Sequence, residues 1–413
     1  MQINWIAFVV PVFAGLIWLE FMLGQKRKES LHHFGESVAN INVGIAERLT
    51  DIYVAGFFYV IFNWIYQHLA IYKMPQNFLT WIVLFLLTDF IWYWYHRFGH
   101  TINLFWSAHV VHHQSEDFNY TTSVRITIFQ AIARGLFWCI LPLAGFSPAL
   151  ITVLLMVHGA YPFFTHTQLV GKLGWLEKFL VTPSHHRVHH SSNPEYLDKN
   201  YGDVLIIWDK LFGTFAMERE KPVYGLTSPL KSYSFLWQHF HFMLEIFVAC
   251  KRAIGWKNKL KVIFGKPDHL DPRIRTCLEY KLLSRNHAVA ISKSLQLFIG
   301  VQTAFTMVIL FIVLLFKAYI SPIVFLLVAL FILVSVIYTG AMLERKTWVF
   351  YLELLRIILI GALTYKMMPS TTLLYTYFFA FGTGIIFYRS IYQQYKRYLL
   401  GYTNFSSRGR VVR

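Results

Sequence analysis

The stretch 81-WIVLFLLTDFIWYWYHRFGH-100, followed closely by 109-HVVHHQSEDFNY-120, decides the fold. Its first fifteen residues are apolar or aromatic except for Thr88 and Asp89. A helix rises about 1.5 Å per residue, so some twenty such residues match the hydrocarbon core of a bilayer. The run continues without a break into His96 and His100, spaced i, i+4. One membrane-length helix therefore carries two imidazoles on one face, at one end. Asp89 lies one heptad before His96 and shares that face. An ionisable group inside a span is costly and usually functional.

Further apolar runs occur at 3–23, about 52–72, 126–146 and 147–164. Four more lie at about 296–316, 321–341, 347–365 and 370–388. The pair at 126–164 reads as a hairpin broken at Phe146-Ser147-Pro148, either two spans or a re-entrant loop. The run at 347–365 carries Glu353 and Arg356 and is a weaker span. The chain is 56% hydrophobic and only 14% charged, against about 25% charged in soluble proteins. The expected fold is an all-α integral membrane protein, a multi-pass helical bundle of about 7–9 spans with a cytoplasmic histidine-rich di-metal cap. Residues 1–30 read as an uncleaved membrane anchor and 31–225 as the catalytic region. A basic linker at 226–294 and a C-terminal helical bundle with a basic tail at 295–413 complete the organisation.

Charge orients these spans. Half of the 38 Lys and Arg residues fall in the polar stretch 166–294, and others follow the first and seventh runs and the last. If spans alternate, all of these segments share one side, which the positive-inside rule makes cytoplasmic. The histidine clusters fall on that side too. The membrane is expected to be a bacterial cell membrane or the endoplasmic reticulum. Topology and anionic lipid account for the net charge of +17, so no nucleic-acid partner is expected. Cys139, Cys250 and Cys277 lack the spacing of a disulfide framework or a zinc ribbon.

The spacing of 109-HVVHH-113 recurs at 186-HRVHH-190. Both triplets, at i, i+3 and i+4, place their imidazoles on one helical face. With His96 and His100 they give eight candidate metal ligands: His96, His100, His109, His112, His113, His186, His189 and His190. His166 is a further candidate ligand. One tetrahedral ion takes three or four ligands, so this number suits two metals held close together. Imidazole accepts iron, zinc and copper alike, and residue type alone leaves the metal open.

The boxes HRFGH, HVVHH and SHHRVHH resemble those of the fatty acid hydroxylase/sterol desaturase superfamily of membrane di-iron enzymes. The flanks NLFWSAHVVHHQSEDFN, THTQLVGKLGWLEKFLVTPSHHRVHH and DKNYGDVLIIWDKLFGTF look like its alkylglycerol monooxygenase branch, and so does a hydrophobic C-terminal bundle. The resemblance covers roughly 35–225 and implies two Fe ions, O2 as co-substrate and a lipid substrate. It also implies tetrahydrobiopterin as a candidate reductant. No fused cytochrome b5 or ferredoxin-like segment is evident, so a separate electron donor is expected. Hydroxylation of the carbon next to an ether oxygen gives a hemiacetal that collapses to a fatty aldehyde. A fatty-acid or sterol hydroxylase or desaturase shares the ligand set. A histidine-rich metal transporter and a di-zinc hydrolase are the readings from other classes.

Secondary roles are read for the neighbours. Asp89 is expected to accept a hydrogen bond from a ligand's distal N–H, with Asn119, Asp198 and Asn200 as similar candidates from loops. His158 is a possible ligand or helix tether, and His185 a supporting histidine off the repeat. Arg97 and Arg187 read as partners of acids or lipid phosphate. Glu116 and Asp117 read as helix-end or solvated acids. His239, His241, His269 and His287 lack box spacing and are expected away from the metals.

Overall fold

A computed structural model describes residues 3–283 and 291–400. Among the described residues the regular structure is helical, with two isolated antiparallel bridges, Leu180 with Leu205 and Ser191 with Tyr224. In chain order the helices are α1 (Val9–Arg27, led by a 3-10 turn), α2 (Phe34–His68), α3 (Phe78–Thr101), α4 (Asn103–His109), α5 (Tyr120–Ser123), α6 (Ile128–Trp138), α7 (Ile140–Leu143), α8 (Pro148–Thr165) and α9 (Pro183–His189). They continue with α10 (Ile207–Leu211), α11 (Phe235–Arg252), α12 (Trp256–Phe264), α13 (Arg273–Leu282), α14 (Lys293–Leu315), α15 (Pro322–Leu343), α16 (Val349–Met367), α17 (Thr371–Ile386) and α18 (Tyr388–Gln394).

Six helical segments among the described residues are long and apolar enough to cross a membrane. They are Trp5–Arg27, Phe34–His68, Phe78–Thr101, Pro148–Thr165, Lys293–Leu315 and Pro322–Leu343. The pair Thr371–Ile386 and Tyr388–Arg397, bent by 75°, makes a seventh if it counts as one span. Two of the nine apolar runs fall short for identifiable reasons. Ile128–Leu143 has only 16 residues, about 24 Å of helix against a core of about 30 Å. Helix α16 carries Glu353, Arg356 and Lys366.

The chain forms two compact units, Val9–Arg285 and a second made of Met1–Phe8 with Asn286–Arg413. In the larger unit α2 is 35 residues long, about 52 Å, well beyond a bilayer core. Hydropathy finds only its apolar half. The earlier half carries buried Asn40, Asn42 and Glu47 and packs against α5. The apolar half packs with α3 and the α6–α8 hairpin through Phe58, Phe62, Leu84, Tyr95, Trp138, Leu141 and Ile151. The hairpin turns at Gly145, whose φ of +100° suits glycine; a Cβ there would meet the Tyr72 carbonyl. In the stretch after 225, α11 and α12 both pack on α4 within this unit.

In the smaller unit α14, α15 and α16 pack side by side. Buried Arg356 of α16 donates to Ser335 Oγ (3.0 Å), Glu353 Oε2 (2.7 Å) and Gln302 Oε1 (2.6 Å). Its guanidinium also lies 4.6 Å from the centre of the Tyr338 ring. A charge among apolar helices is held by such complete pairing.

Candidate metal centre

Four chain segments deliver the histidines. The C-terminal turns of α3 bring His96 and His100, and α4 ends on His109. A 3-10 turn, His112–Gln114, follows, so the first HxxHH box bends out of the helix partway along. His166 is the residue after α8. Helix α9 starts on Pro183, which suits the first helical position, and supplies His186 and His189, with His190 closing it.

The nine imidazoles sort into two groups. His96, His100, His109, His113 and His189 form one; His112, His166, His186 and His190 form the other. Within each, one ligand atom per residue lies within 4.8 Å of all the others. All nine residues are buried except His100, which is nearly so. The groups adjoin: the His113 and His190 rings stack with centroids 4.3 Å apart. Both HxxHH boxes are divided between the groups.

Tautomers give the physical reason to place metal here. Nδ1 of His112 lies 3.2 Å from the Arg125 carbonyl, and Nδ1 of His166 lies 2.6 Å from the Pro162 carbonyl. A carbonyl only accepts, so each Nδ1 carries the proton and each Nε2 presents a lone pair. Those two Nε2 atoms are 3.2 Å apart. Nε2 of His190 and of His186 approach His166 Nε2 to 3.1 and 3.0 Å. Lone pairs facing one another repel unless a cation lies between them. Nitrogens bound at about 2.1 Å to one ion sit about 3.0–3.4 Å apart, which is the spacing found. In the five-histidine group His96 Nδ1 donates to the Tyr201 carbonyl (2.8 Å) and His189 Nδ1 to the Lys199 carbonyl (3.0 Å). Nε2 of His96 and of His113 each lie 3.1 Å from His109 Nε2. Nε2 of His100 and of His189 are buried with no hydrogen-bond partner.

Burial keeps these rings neutral, as metal ligands must be. His166 is pushed down to about 4, first by burial. His109, His112, His113, His186, His189 and His190 are held well below the usual histidine range by burial and then by neighbouring histidines.

The segment 198–205 acts as a strap across the five-histidine group. Asp198 and Asn200 take positive φ of 57° and 55°, which turns the backbone so that the Lys199 and Tyr201 carbonyls meet His189 and His96. Asp209 fixes this by accepting from Tyr201 N–H (2.7 Å) and Gly202 N–H (2.8 Å). Asp89 accepts from Val204 N–H (2.9 Å), Leu205 N–H (3.1 Å) and the Trp208 indole (2.9 Å). Asp89 therefore holds the strap instead of taking a ligand's N–H. His158 stands outside both groups, 2.7 Å from Asp203 and 3.7 Å from Asp89. The fully buried Asp203 carboxyl is pushed well up by burial.

Asp198 Oδ1 lies 3.9 Å from His100 Nδ1; the other candidates lie away from the rings' nitrogens. His185 turns back to Thr182 N–H and the Leu180 carbonyl. Asn119 caps α5 and donates to the Leu31 carbonyl. Asn200 donates to the carbonyls of His185 and Ala216. Arg187 pairs with Glu218 through two nitrogens, at 2.8 and 2.7 Å. His239 and His241 are buried in α11 against its own carbonyls, His269 lies in a 3-10 turn after α12, and His287 lies outside the described residues. Sequence reasoning missed Arg125, which donates to the Val111 carbonyl, Asn40 and Gln114 and so buttresses the first HxxHH box. Burial lowers its pKa to about 10. It also missed Asp203 and Asp209. A close group of acids in 198-DKNYGDVLIIWD-209 was the available signal.

The fold and site define a membrane-bound helical protein with two adjoining polyhistidine groups. Residues 81–214 match the family model described as fatty acid hydroxylase. The chain is 36% identical over 267 residues to the alkylglycerol monooxygenase of Homo sapiens, covering 64% of this chain and 60% of that one. It is 32% identical over 367 residues to the alkylglycerol monooxygenase of Danio rerio, covering 85% and 80%. A shorter match, 31% over 137 residues, joins it to an ornithine lipid hydroxylase of Rhizobium tropici, covering 32% and 40%. No solved structure matches the chain. The chain belongs to the fatty acid hydroxylase superfamily and, within it, to the alkylglycerol monooxygenase branch.

Proposed function

We propose that the chain is an O2-dependent lipid monooxygenase that inserts oxygen at the carbon next to the ether oxygen of an alkylglycerol-type lipid. The observation that carries this reading is the convergence of imidazole lone pairs into two adjoining groups, in a chain whose relatives are named as monooxygenases of that substrate class. His96, His100, His109, His113 and His189 would hold one iron ion, and His112, His166, His186 and His190 the other. Bound there, iron supplies the redox chemistry that activates O2.

The balance is a monooxygenase's. A C–H bond becomes C–OH with one oxygen atom of O2, and the second leaves as water with two electrons and two protons. The hemiacetal carbon then loses the glycerol oxygen and becomes a fatty aldehyde. A separate donor provides the electrons, with tetrahydrobiopterin the candidate reductant. The protein's own residues position and shield. The carbonyls of Lys199, Tyr201, Arg125 and Pro162 fix which nitrogen of each ring faces inward. Phe118, stacked on His166 with centroids 5.4 Å apart, helps keep water from the four-histidine group. The excess of Lys and Arg in the loops beside the histidines supports reading this centre as cytoplasmic, by the positive-inside rule.

The test is anaerobic purification and quantification of iron and zinc. O2, reductant and labelled alkylglycerol, fatty acid and sterol are then offered in parallel, with and without tetrahydrobiopterin. Two irons per chain and aldehyde release from alkylglycerol are expected. A zinc-only protein, or hydroxylation confined to fatty acid or sterol, overturns the assignment.

A further inference from the structure

The segment 251-KRAIGWKNKLKVIFGKP-267 contains six basic residues and no acidic one. Its helix, α12, has an outward stripe at i, i+4 and i+8. Trp256, Leu260 and Phe264 are 67%, 42% and 56% exposed, and Ile254 just before them is 88% exposed. Lys257 and Lys261 follow two of these positions by one residue and therefore flank the stripe. Half-buried Val262 and Ile263 belong to the inward side. Large apolar side chains aligned on an exposed helix face mark an interaction surface, and lysines flanking tryptophan and phenylalanine are the composition of helices that lie in a membrane interface.

A second observation places this stripe near the bilayer. The Asn103 backbone N–H donates to the Gly265 carbonyl and Asn103 Nδ2 to the Val262 carbonyl, both at 2.8 Å. Asn103 is two residues beyond Thr101, the last residue of the membrane-length helix α3. The C-terminal end of α12 is therefore pinned where that helix ends. The same short helix, α4, ends on His109.

We propose that α12, with Ile254, docks on the bilayer surface beside the end of α3. Trp256, Leu260 and Phe264 enter the boundary between headgroups and acyl chains, and Lys257 and Lys261 pair with the phosphates of anionic lipids. The cation-rich, acid-free sequence favours anionic lipid over neutral lipid, and four large exposed apolar groups favour a lipid surface over an acidic soluble protein. The proposal rests on reading α3 as membrane-spanning and is independent of the metal and of the reaction.

Site-directed spin labelling of the full chain in lipid nanodiscs tests it. Cys139, Cys250 and Cys277 are replaced by Ser, and a nitroxide is placed at Leu260→Cys or, on a different exposed face, at Asn258→Cys. A gel-filtration profile and helical circular dichroism matching the parent report that each protein is folded. In discs containing phosphatidylglycerol the label at 260 is relaxed by O2 and shielded from a water-soluble nickel chelate, and the label at 258 shows the reverse. A lysine beside an anionic surface changes partition about fivefold. Nickel access at 260 therefore rises several-fold in phosphatidylcholine discs or with Lys257→Gln and Lys261→Gln together. Equal nickel access at 258 and 260 in anionic discs overturns the docking. Shielding at 260 from both O2 and nickel, unchanged by lipid charge or by the lysine changes, means that protein covers the stripe and likewise overturns it.

Discussion

His112 and His113 are consecutive residues in different histidine groups. Nε2 of His112 faces His166 at 3.2 Å, whereas Nε2 of His113 faces His109 at 3.1 Å. The 3-10 turn between Val111 and Ser115 makes this possible by pointing successive rings in different directions. If each group holds an ion, as proposed, His112→Ala should cost about one ion, His113→Ala about the other, and the double variant both, since each change removes a ligand from a different group. Metal analysis of the purified variants reads this directly. Full metal retention in the double variant would count against the ligand assignment.

Asp209→Asn keeps the side chain's shape but replaces one of the two acceptors facing Tyr201 and Gly202 N–H with a donor. The strap loosens, and His96 loses its fixed carbonyl. Changes behind a ligand typically cost about 10–100-fold in metal affinity. In a chelator competition, the fraction of metal held by the five-histidine group should leave first by that factor, while the fraction held by the four-histidine group leaves at the parent rate.

Arg125→Met removes donors from Val111, Asn40 and Gln114 together. The Val111 carbonyl keeps the Gln114 N–H, so two buried side-chain acceptors are left unpaired, each costing about 1–3 kcal/mol. Thermal unfolding of the metal-free protein should show a loss of about 2 kcal/mol or more. Arg125→Lys should recover part of it, because one ammonium cannot reproduce the planar guanidinium's reach.

Acid should release the metal and weaken the fold over the same range. An unfolded histidine titrates near 6.5, while folded His166 is pushed down to about 4. Between those values the unfolded chain binds a proton that the folded chain refuses. Stability therefore falls as pH drops from 6.5 to about 4 and is insensitive to this group above 6.5. Protons also compete with metal for the same nitrogens. Thermal unfolding with and without chelator, from neutral pH to about 4, should show the metal-dependent part of the stability vanishing across that window.

Much of this architecture is legible in the chain. Repeated HxxHH spacing and the run into HRFGH announce the imidazoles, because ligand spacing along a helix is local information. The split of each box between two groups is not, since it depends on where the short helices end, α4 at His109 and α9 at His189. The polar first half of α2 escapes hydropathy because its burial is against protein. Asp89 is conspicuous as an acid in a span, yet its partners lie more than a hundred residues away, so its role is not readable from its neighbours. Arg125 is hidden for another reason: its partners Val111, Gln114 and Asn40 lie 14, 11 and 85 residues away with no repeating spacing to announce them.

Four rings of the centre, those of His96, His112, His166 and His189, take their bearing from main-chain oxygens of Tyr201, Arg125, Pro162 and Lys199. Every residue type offers such an oxygen. As far as aiming these rings is concerned, Lys199 and Tyr201 are free to drift over evolutionary time without disturbing the metal geometry. The acids that fix the path of the chain, Asp89 and Asp209, are not. Searches for related centres would do better to track those carboxylates than the residues touching the rings.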